Sequence, residues 1–254
     1  MKNLLLFIML RTNFAFAGDG GFLFVTFKGE STPITEQIYF AVSQDGRNWE
    51  ALNNAEPVLI SQIGEKGVRD PFLVRSHDGK KFYLLATDLS TNLNPGWKRA
   101  AQAGSKSIVI WESADLVKWT EPRLAPVAPD DAGCTWAPEA IYDEQSNDYL
   151  VFWASTNRSD NFAKQRIWAA RTKDFVTFDK PFIYIEHPGA VIDTDIVNDH
   201  GKYFRFSKDE KTPSIFMETS ENLMGPWHDV PNFSLANTHD YEGPECFLLA
   251  PATA

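Results

Sequence analysis

Val68-Arg69-Asp70-Pro71-Phe72-Leu73-Val74-Arg75 is a short apolar stretch opened by a carboxylate and a proline, and His77-Asp78-Gly79 then leads into Lys81-Phe82-Tyr83-Leu84-Leu85-Ala86-Thr87. An Asp-Gly pair between two β-rich runs is turn chemistry, so the stretch reads as a hairpin with Asp70 at its entry. The unit recurs. Glu139-Ala140-Ile141-Tyr142 is followed by Tyr149-Leu150-Val151-Phe152-Trp153, and Asp193-Thr194-Asp195-Ile196-Val197 by Lys202-Tyr203-Phe204-Arg205-Phe206. A fourth acidic opening, Glu242-Gly243-Pro244-Glu245-Cys246-Phe247-Leu248-Leu249, lies close to the carboxy terminus.

A second repeat runs alongside the first. Ser43-Gln44-Asp45-Gly46-Arg47-Asn48-Trp49 is echoed by Ser113-Ala114-Asp115-Leu116-Val117-Lys118-Trp119, by Thr172-Lys173-Asp174-Phe175-Val176-Thr177-Phe178 and by Ser220-Glu221-Asn222-Leu223-Met224-Gly225-Pro226-Trp227. Echoes follow apolar strands such as Ser107-Ile108-Val109-Ile110-Trp111, so each unit closes on a polar turn with an aromatic plug. Units of roughly 40 to 70 residues with about four strands each are the signature of a β-propeller. Inner strands starting near 22, 72, 139, 193 and 243 predict an all-β, five-bladed β-propeller over residues 18–254, with its last blade incomplete in this chain.

Composition agrees with one large β core and narrows the partners. The 254 residues carry 34 acidic against 24 basic side chains, a net charge of −10, which excludes a polyanion footprint and hence nucleic acid. Thirteen per cent aromatics serve strand packing first and ligand faces second. Cys134 and Cys246 match no zinc spacing and read as buried free thiols. Lys2, the run from Leu4 to Leu10 and Ala15-Phe16-Ala17 sketch a signal peptide over residues 1–17, which places the protein outside the cytoplasm, extracellular or periplasmic. No other stretch is apolar enough to span a bilayer. Asn157-Arg158-Ser159 and Asn232-Phe233-Ser234 have the form of glycosylation sequons.

Inner strands of a propeller line its channel, so the carboxylates that head them converge. Asp70, Glu139, Asp193 and Glu242 crowded at one opening repel, and repulsion separates proton donor from acceptor.

In order and spacing, Arg69-Asp70-Pro71, Trp136-Ala137-Pro138-Glu139, Val191-Ile192-Asp193 and Tyr241-Glu242-Gly243-Pro244 resemble glycoside hydrolase family 43. The resemblance implies a five-bladed propeller acting on arabinose- and xylose-containing polysaccharides of the plant cell wall. By motif it makes Asp70 the general base, Glu242 the general acid and Asp193 the residue that tunes and orients. It also implies inverting hydrolysis of an arabinofuranosyl or xylosyl bond. Inversion needs two carboxyl groups separated enough to admit a water, with the acid protonated and the base ionised, the latter helped by Arg69.

The tuning motif commonly continues with proline, whereas here Ile192-Asp193 is followed by Thr194, and Asp195 is a rival on the same strand face. Trp136 is the first candidate for stacking on a sugar, Arg69 and Glu139 are further substrate contacts, and Asp88 and Trp97 are weaker ones. Some family members hold a channel metal ion through a late His; no His here occupies a matching place, so neither cofactor nor metal is assigned. The alternative functions are a carbohydrate-binding propeller without catalysis and a protein-interaction propeller with an acidic rim.

Overall fold

The computed structural model describes residues 21–236, 239 and 241–247. The leader expected at 1–17 lies outside them, as does the end of the expected last blade. Fifteen antiparallel strands form four sheets. The first contains β1 (Phe22–Thr26), β2 (Tyr39–Ser43) and β3 (Glu50–Ala51), and the second β4 (Val68–Arg75), β5 (Phe82–Asp88), β6 (Ser107–Ser113) and β7 (Arg123–Pro126). The third contains β8 (Trp136–Asp143), β9 (Asp148–Ser155), β10 (Arg166–Thr172) and β11 (Phe182–Ile185). The fourth contains β12 (Val191–Asp199), β13 (Lys202–Asp209), β14 (Ser214–Ser220) and β15 (His228–Asp229). Each sheet is a meander with its first strand innermost, and β1, β4, β8 and β12 neighbour one another in that order around the channel. This is a β-propeller. A single turn and a half of helix, α1 (Trp97–Gln102), interrupts the second blade.

The core lies between blades. Successive side chains of a strand point to opposite faces, so an inner blade strand packed on both sides is apolar throughout rather than alternating. On β5, Leu84 and Ala86 join Val25, Phe40 and Trp111 between the first two blades, while Tyr83 and Leu85 join Trp153 and Phe175 between the second and third. On β9, Leu150 and Phe152 pack with Ile192 and Tyr203 against the fourth. Each such Leu or Ile contributes about 2 kcal/mol. Most of the aromatic content is therefore packing.

The repeated polar turns are one motif used four times. Ser43 Oγ accepts the amides of Asp45 and Gly46, and Asp45 Oδ1 those of Arg47 and Asn48. Ser113 with Asp115 and Thr172 with Asp174 repeat the pattern, and Ser220 with Asn222 keeps its outline. The plug that follows then reaches into the neighbouring packing: Trp119 lies edge-on to Phe40 at 5.9 Å.

The expected fifth inner strand is not one. Residues 241–247 form no strand; they follow β12 through side chains, with Gly243 N donating to Asp193 Oδ2 and Cys246 N to Asp195 Oδ2. Pro244 has no N–H and Gly243 sits at φ +63°, so a regular ladder cannot form there. Phe247 reaches back to β1, its ring 5.7 Å from that of Phe22. Among the described residues, then, four blades are present and this segment spans the seam between the last and the first.

Asn157 of the first sequon is buried, and its Oδ1 accepts the amide of Ser159 to cap the 3₁₀ turn Arg158–Asp160. Asn157→Ala is expected to cost about 1 kcal/mol, read as a lowered urea midpoint at unchanged slope. Cys134 and Cys246 are both free, but only Cys134 is buried as expected; Cys246 is partly exposed. Among the described residues no helix is long and apolar enough to cross a membrane.

Candidate active site

The same irregularity marks three inner strands. The ladder breaks between Arg69 and Phe72 on β4, between Trp136 and Glu139 on β8 and between Ile192 and Asp195 on β12. At each break one residue turns left-handed: Asp70 at φ +47°, Ala137 at +46° and Asp193 at +48°. Asp tolerates this region better than most residues, and bulges of this kind re-aim a side chain. Gly243, at φ +63°, holds the corresponding place in the fourth motif. The break supplies a common frame in which Asp70, Ala137, Asp193 and Gly243 correspond.

This frame corrects the alignment read from sequence. Glu139 does not correspond to Asp70 and Asp193; it lies two residues further on, level with Phe72, Asp195 and Glu245. Two layers result. Asp70 and Asp193 share the upper one with Glu242, which acts on both electrostatically. Glu139, Asp195 and Glu245 form the lower one. The choice between Asp193 and Asp195 is thereby resolved in position: Asp193 faces Asp70, and Asp195 faces Glu139.

Asp70 and Asp193 line a cavity of about 20 Å³ together with Thr26, Ala137, Glu139 and Glu245 among others. It has room for roughly one water.

Burial pushes the Asp70 carboxyl above its ordinary range; Arg69 and a hydrogen bond from Thr87 Oγ1 (3.1 Å) pull it back, and Glu242 adds to the rise. Burial also pushes Asp193 up, reinforced by Asp70 and Glu242 and opposed by Lys208 and the Gly243 amide. Asp195 rises to about 6 on burial, against its hydrogen bonds from Cys246. Glu139 is also pushed well up, by burial and then by Glu245 and Asp195, and Glu245 by burial and Asp195 against a hydrogen bond with Glu139.

Glu242 is 57% exposed at its side chain, and its Oε2 lies 2.6 Å from Lys208 Nζ, which also pairs with Glu210 at 2.7 Å. Lys208 arrives from β13, where it stands opposite Ile192. A lysine invisible in the motif thus holds Glu242, while burial and the neighbouring carboxylates push Asp193 up.

A clear consequence for stability follows. Burial raises six carboxyls, Asp70, Asp88, Glu139, Asp193, Asp195 and Glu245, above the values they take in the unfolded chain, so stability falls as pH rises from about 4 through their raised folded values. Each contributes up to about 1.4 kcal/mol per pH unit over its own window. Glu36 works in the opposite sense, as do lowered carboxylates such as Asp143, Asp160 and Asp174, but their contributions are lost only as pH falls below the ordinary carboxylate range. Burial would raise Glu36, but Ser90, Thr91 and Asn92 hydrogen-bond it and hold it below its ordinary value. The net expectation is a urea midpoint higher at pH 5 than at pH 8; a flat or rising profile would contradict this charge assignment.

The other sequence candidates divide. Arg69 is clamped: its guanidinium lies between the rings of Phe27 (4.8 Å) and Trp97 (5.1 Å) and pairs with Glu30 and Glu36, leaving 13% of the side chain exposed. Trp97, 50% exposed, meets Trp136 edge-on at 6.1 Å, so the two form one aromatic corner at the rim. Asp88 is buried and accepts the Glu65 amide at 2.8 Å, which makes it a loop anchor. Three residues escaped the sequence reading. Glu36 is fully buried and fastens the loop at Ser90 and Thr91; Thr87 donates to Asp70 while accepting the Ala137 amide at 2.8 Å; Lys208 is the third. Among the described residues no three His, Cys, Asp or Glu side chains are placed to hold a metal ion.

Fold and site together define a propeller whose channel mouth gathers carboxylates from separate blades. The chain belongs to the family 43-related glycosyl hydrolases: residues 19–253 match the family model described as "Probable glycosyl hydrolase domain". The resemblance read from the motifs therefore holds. An alpha-L-arabinofuranosidase of Bifidobacterium longum is 30% identical over 92% of this chain, which spans a quarter of that protein's length. Two solved structures share the fold. A thermostable family-43 glycoside hydrolase matches 90% of this chain and 72% of its own at TM-score 0.64 and 12% identity. An exo-beta-1,3-galactanase of Phanerochaete chrysosporium matches 88% of this chain and 48% of its own at TM-score 0.59 and 12% identity.

Proposed function

We propose that the protein is a glycosidase that cleaves arabinofuranosyl or xylosyl linkages of plant polysaccharides with inversion of configuration. The observation that carries this reading is the convergence of Asp70 and Asp193 on one small pocket, where Asp193 accepts the amide of Gly243, the residue next to Glu242. Asp70 takes the proton of the attacking water. Thr87 orients Asp70 and ties it to the next blade. Glu242 parts from Lys208, takes up a proton from solvent and passes it to the leaving oxygen, and Asp193 holds Glu242 in place through the Gly243 amide. Trp136 and Trp97 offer ring faces to the sugar chain at the rim. The arabinofuranosidase relative supports the pentose assignment, and the leader expected at residues 1–17 supports export.

A second reading, a carbohydrate-binding propeller without catalysis, draws on the Lys208–Glu242 ion pair, which occupies the proposed acid. Assay of nitrophenyl α-L-arabinofuranoside, β-D-xyloside and β-D-galactoside separates them. Release of nitrophenol from either pentoside, with the α and β products resolved by NMR at early times, is expected. No turnover of any of the three would favour the second reading, and galactoside as the sole substrate would overturn the pentose assignment.

A further inference from the structure

We propose that Asp195 is a positioning residue: with Glu139 and Glu245 it forms a carboxyl clasp beneath the channel mouth that fixes the segment carrying Glu242 to β8 and β12. This deepens the function proposed above and rests on its assignment of Glu242 as the acid.

Residues 241–247 cross the seam of the propeller without a strand ladder. What holds them to β12 is a pair of side-chain acceptors two residues apart, Asp193 for the Gly243 amide at 3.1 Å and Asp195 for the Cys246 amide at 2.8 Å. Glu242 is adjacent to the first anchored amide and four residues from the second. Its height above the channel is set by both.

Glu139 joins the third blade to this anchor. It is 7% exposed and within hydrogen-bond reach of both Asp195 and Glu245. Glu139 Oε2 and Glu245 Oε1 are buried and receive no N–H or O–H donor from the protein. An unpaired buried carboxyl oxygen is costly, and a proton carried by Glu139 satisfies the arrangement by donating to a neighbouring carboxylate. The titratable groups that face this trio are its own members together with Asp193 and Cys246, and none is cationic. Lys208 pairs with Glu242 and Glu210 in the upper layer instead. Neutralisation of the clasp therefore comes from protons rather than from a basic side chain.

Hydrogen–deuterium exchange of residues 243–246, measured beside steady-state kinetics on the pentoside the parent cleaves, tests the clasp. Asp195→Ala is expected to speed exchange at Cys246 by about tenfold or more. It should also lower kcat by about tenfold with KM within about twofold, the pattern of a group that places the reacting acid rather than binding substrate. Asp195→Asn, whose Oδ1 still accepts the Cys246 amide, should restore most of both. Unchanged exchange in Asp195→Ala overturns the clasp whatever the activity; faster exchange with unaltered kcat overturns its positioning role. If exchange responds as expected but the parent turns over no glycoside, the clasp stands and the catalytic reading of Glu242 falls. If Asp195→Ala does not fold, Glu139→Gln decides. Its amide donates at every pH, so protection at Cys246, measured against the intrinsic exchange rate at each pH, should persist at pH 8, where it falls in the parent. Lost protection in Glu139→Gln at pH 5 as well as pH 8 overturns the proposal.

Discussion

Glu242→Ala is expected to slow hydrolysis of an unactivated arabinosyl or xylosyl disaccharide by about 1,000-fold, within the range a positioned proton donor supplies. The same variant should lose only about tenfold on a nitrophenyl glycoside, because nitrophenolate departs without help and the missing proton matters little. The contrast is the diagnostic, not the size of either loss. Glu242 stands on a Gly-Pro turn at the channel mouth with 57% of its side chain open to solvent. Its removal therefore opens no core cavity, and the folded fraction should be unchanged by circular dichroism. Lys208 sharpens the expectation. In Glu242→Ala that ammonium keeps Glu210, so it is not left unpaired. Equal losses on the two substrates would mean that Glu242 does not protonate the leaving group, and no loss on either would remove it from the reaction.

The parts of this site that were legible in sequence are those that a short motif contains. Asp70 before Pro71 and Asp193 after Ile192 stand at left-handed residues of equivalent bulges, and the local pattern around each is enough to find them. Glu139 was misaligned by two because a bulge inserts residues without leaving a trace in the hydrophobic pattern: Trp136-Ala137-Pro138-Glu139 looks like one strand opening, yet the ladder breaks within it. The frame becomes visible only when Ala137 is seen to share the φ of Asp70 and Asp193.

Glu36, Thr87 and Lys208 were out of reach for a different reason. None belongs to the motif it serves. Thr87 meets Asp70 because β5 pairs with β4, and Lys208 meets Glu242 because β13 lies beside β12, so their relevance depends on strand register and on the path of a distant segment. The propeller itself was readable from its repeated turns, since each is a local hydrogen-bond motif with a fixed spacing from Ser or Thr to Asp or Asn. The seam was not. A chain segment whose amides are held by Asp193 and Asp195 reads in sequence like any other strand opening, and the absence of a ladder follows from Gly243 and Pro244 acting together.

Asp70→Asn is expected to reduce kcat by about 1,000-fold or more on the nitrophenyl glycoside and the disaccharide alike, because activation of water is needed whatever the leaving group. An amide keeps the shape and still accepts the Thr87 hydroxyl, so loss of the proton acceptor is isolated from loss of packing. Paired with Glu242→Ala, this gives two distinct signatures: one variant depends on the leaving group and the other does not. The pH profile adds a further constraint. Burial raises Asp70 more than Arg69 and Thr87 lower it, and a base must be ionised to act, so the acid limb of kcat/KM should lie above the usual carboxylate value of about 4. Thr87→Val removes one of the two influences that lower Asp70 and should move that limb further up. Thr87→Ser keeps the hydroxyl and should leave the limb in place, which separates its effect on Asp70 from its packing between β5 and the Ala137 amide. An acid limb at or below pH 4, insensitive to Thr87→Val, would show that the group controlling the reaction is not the carboxylate buried at the head of β4.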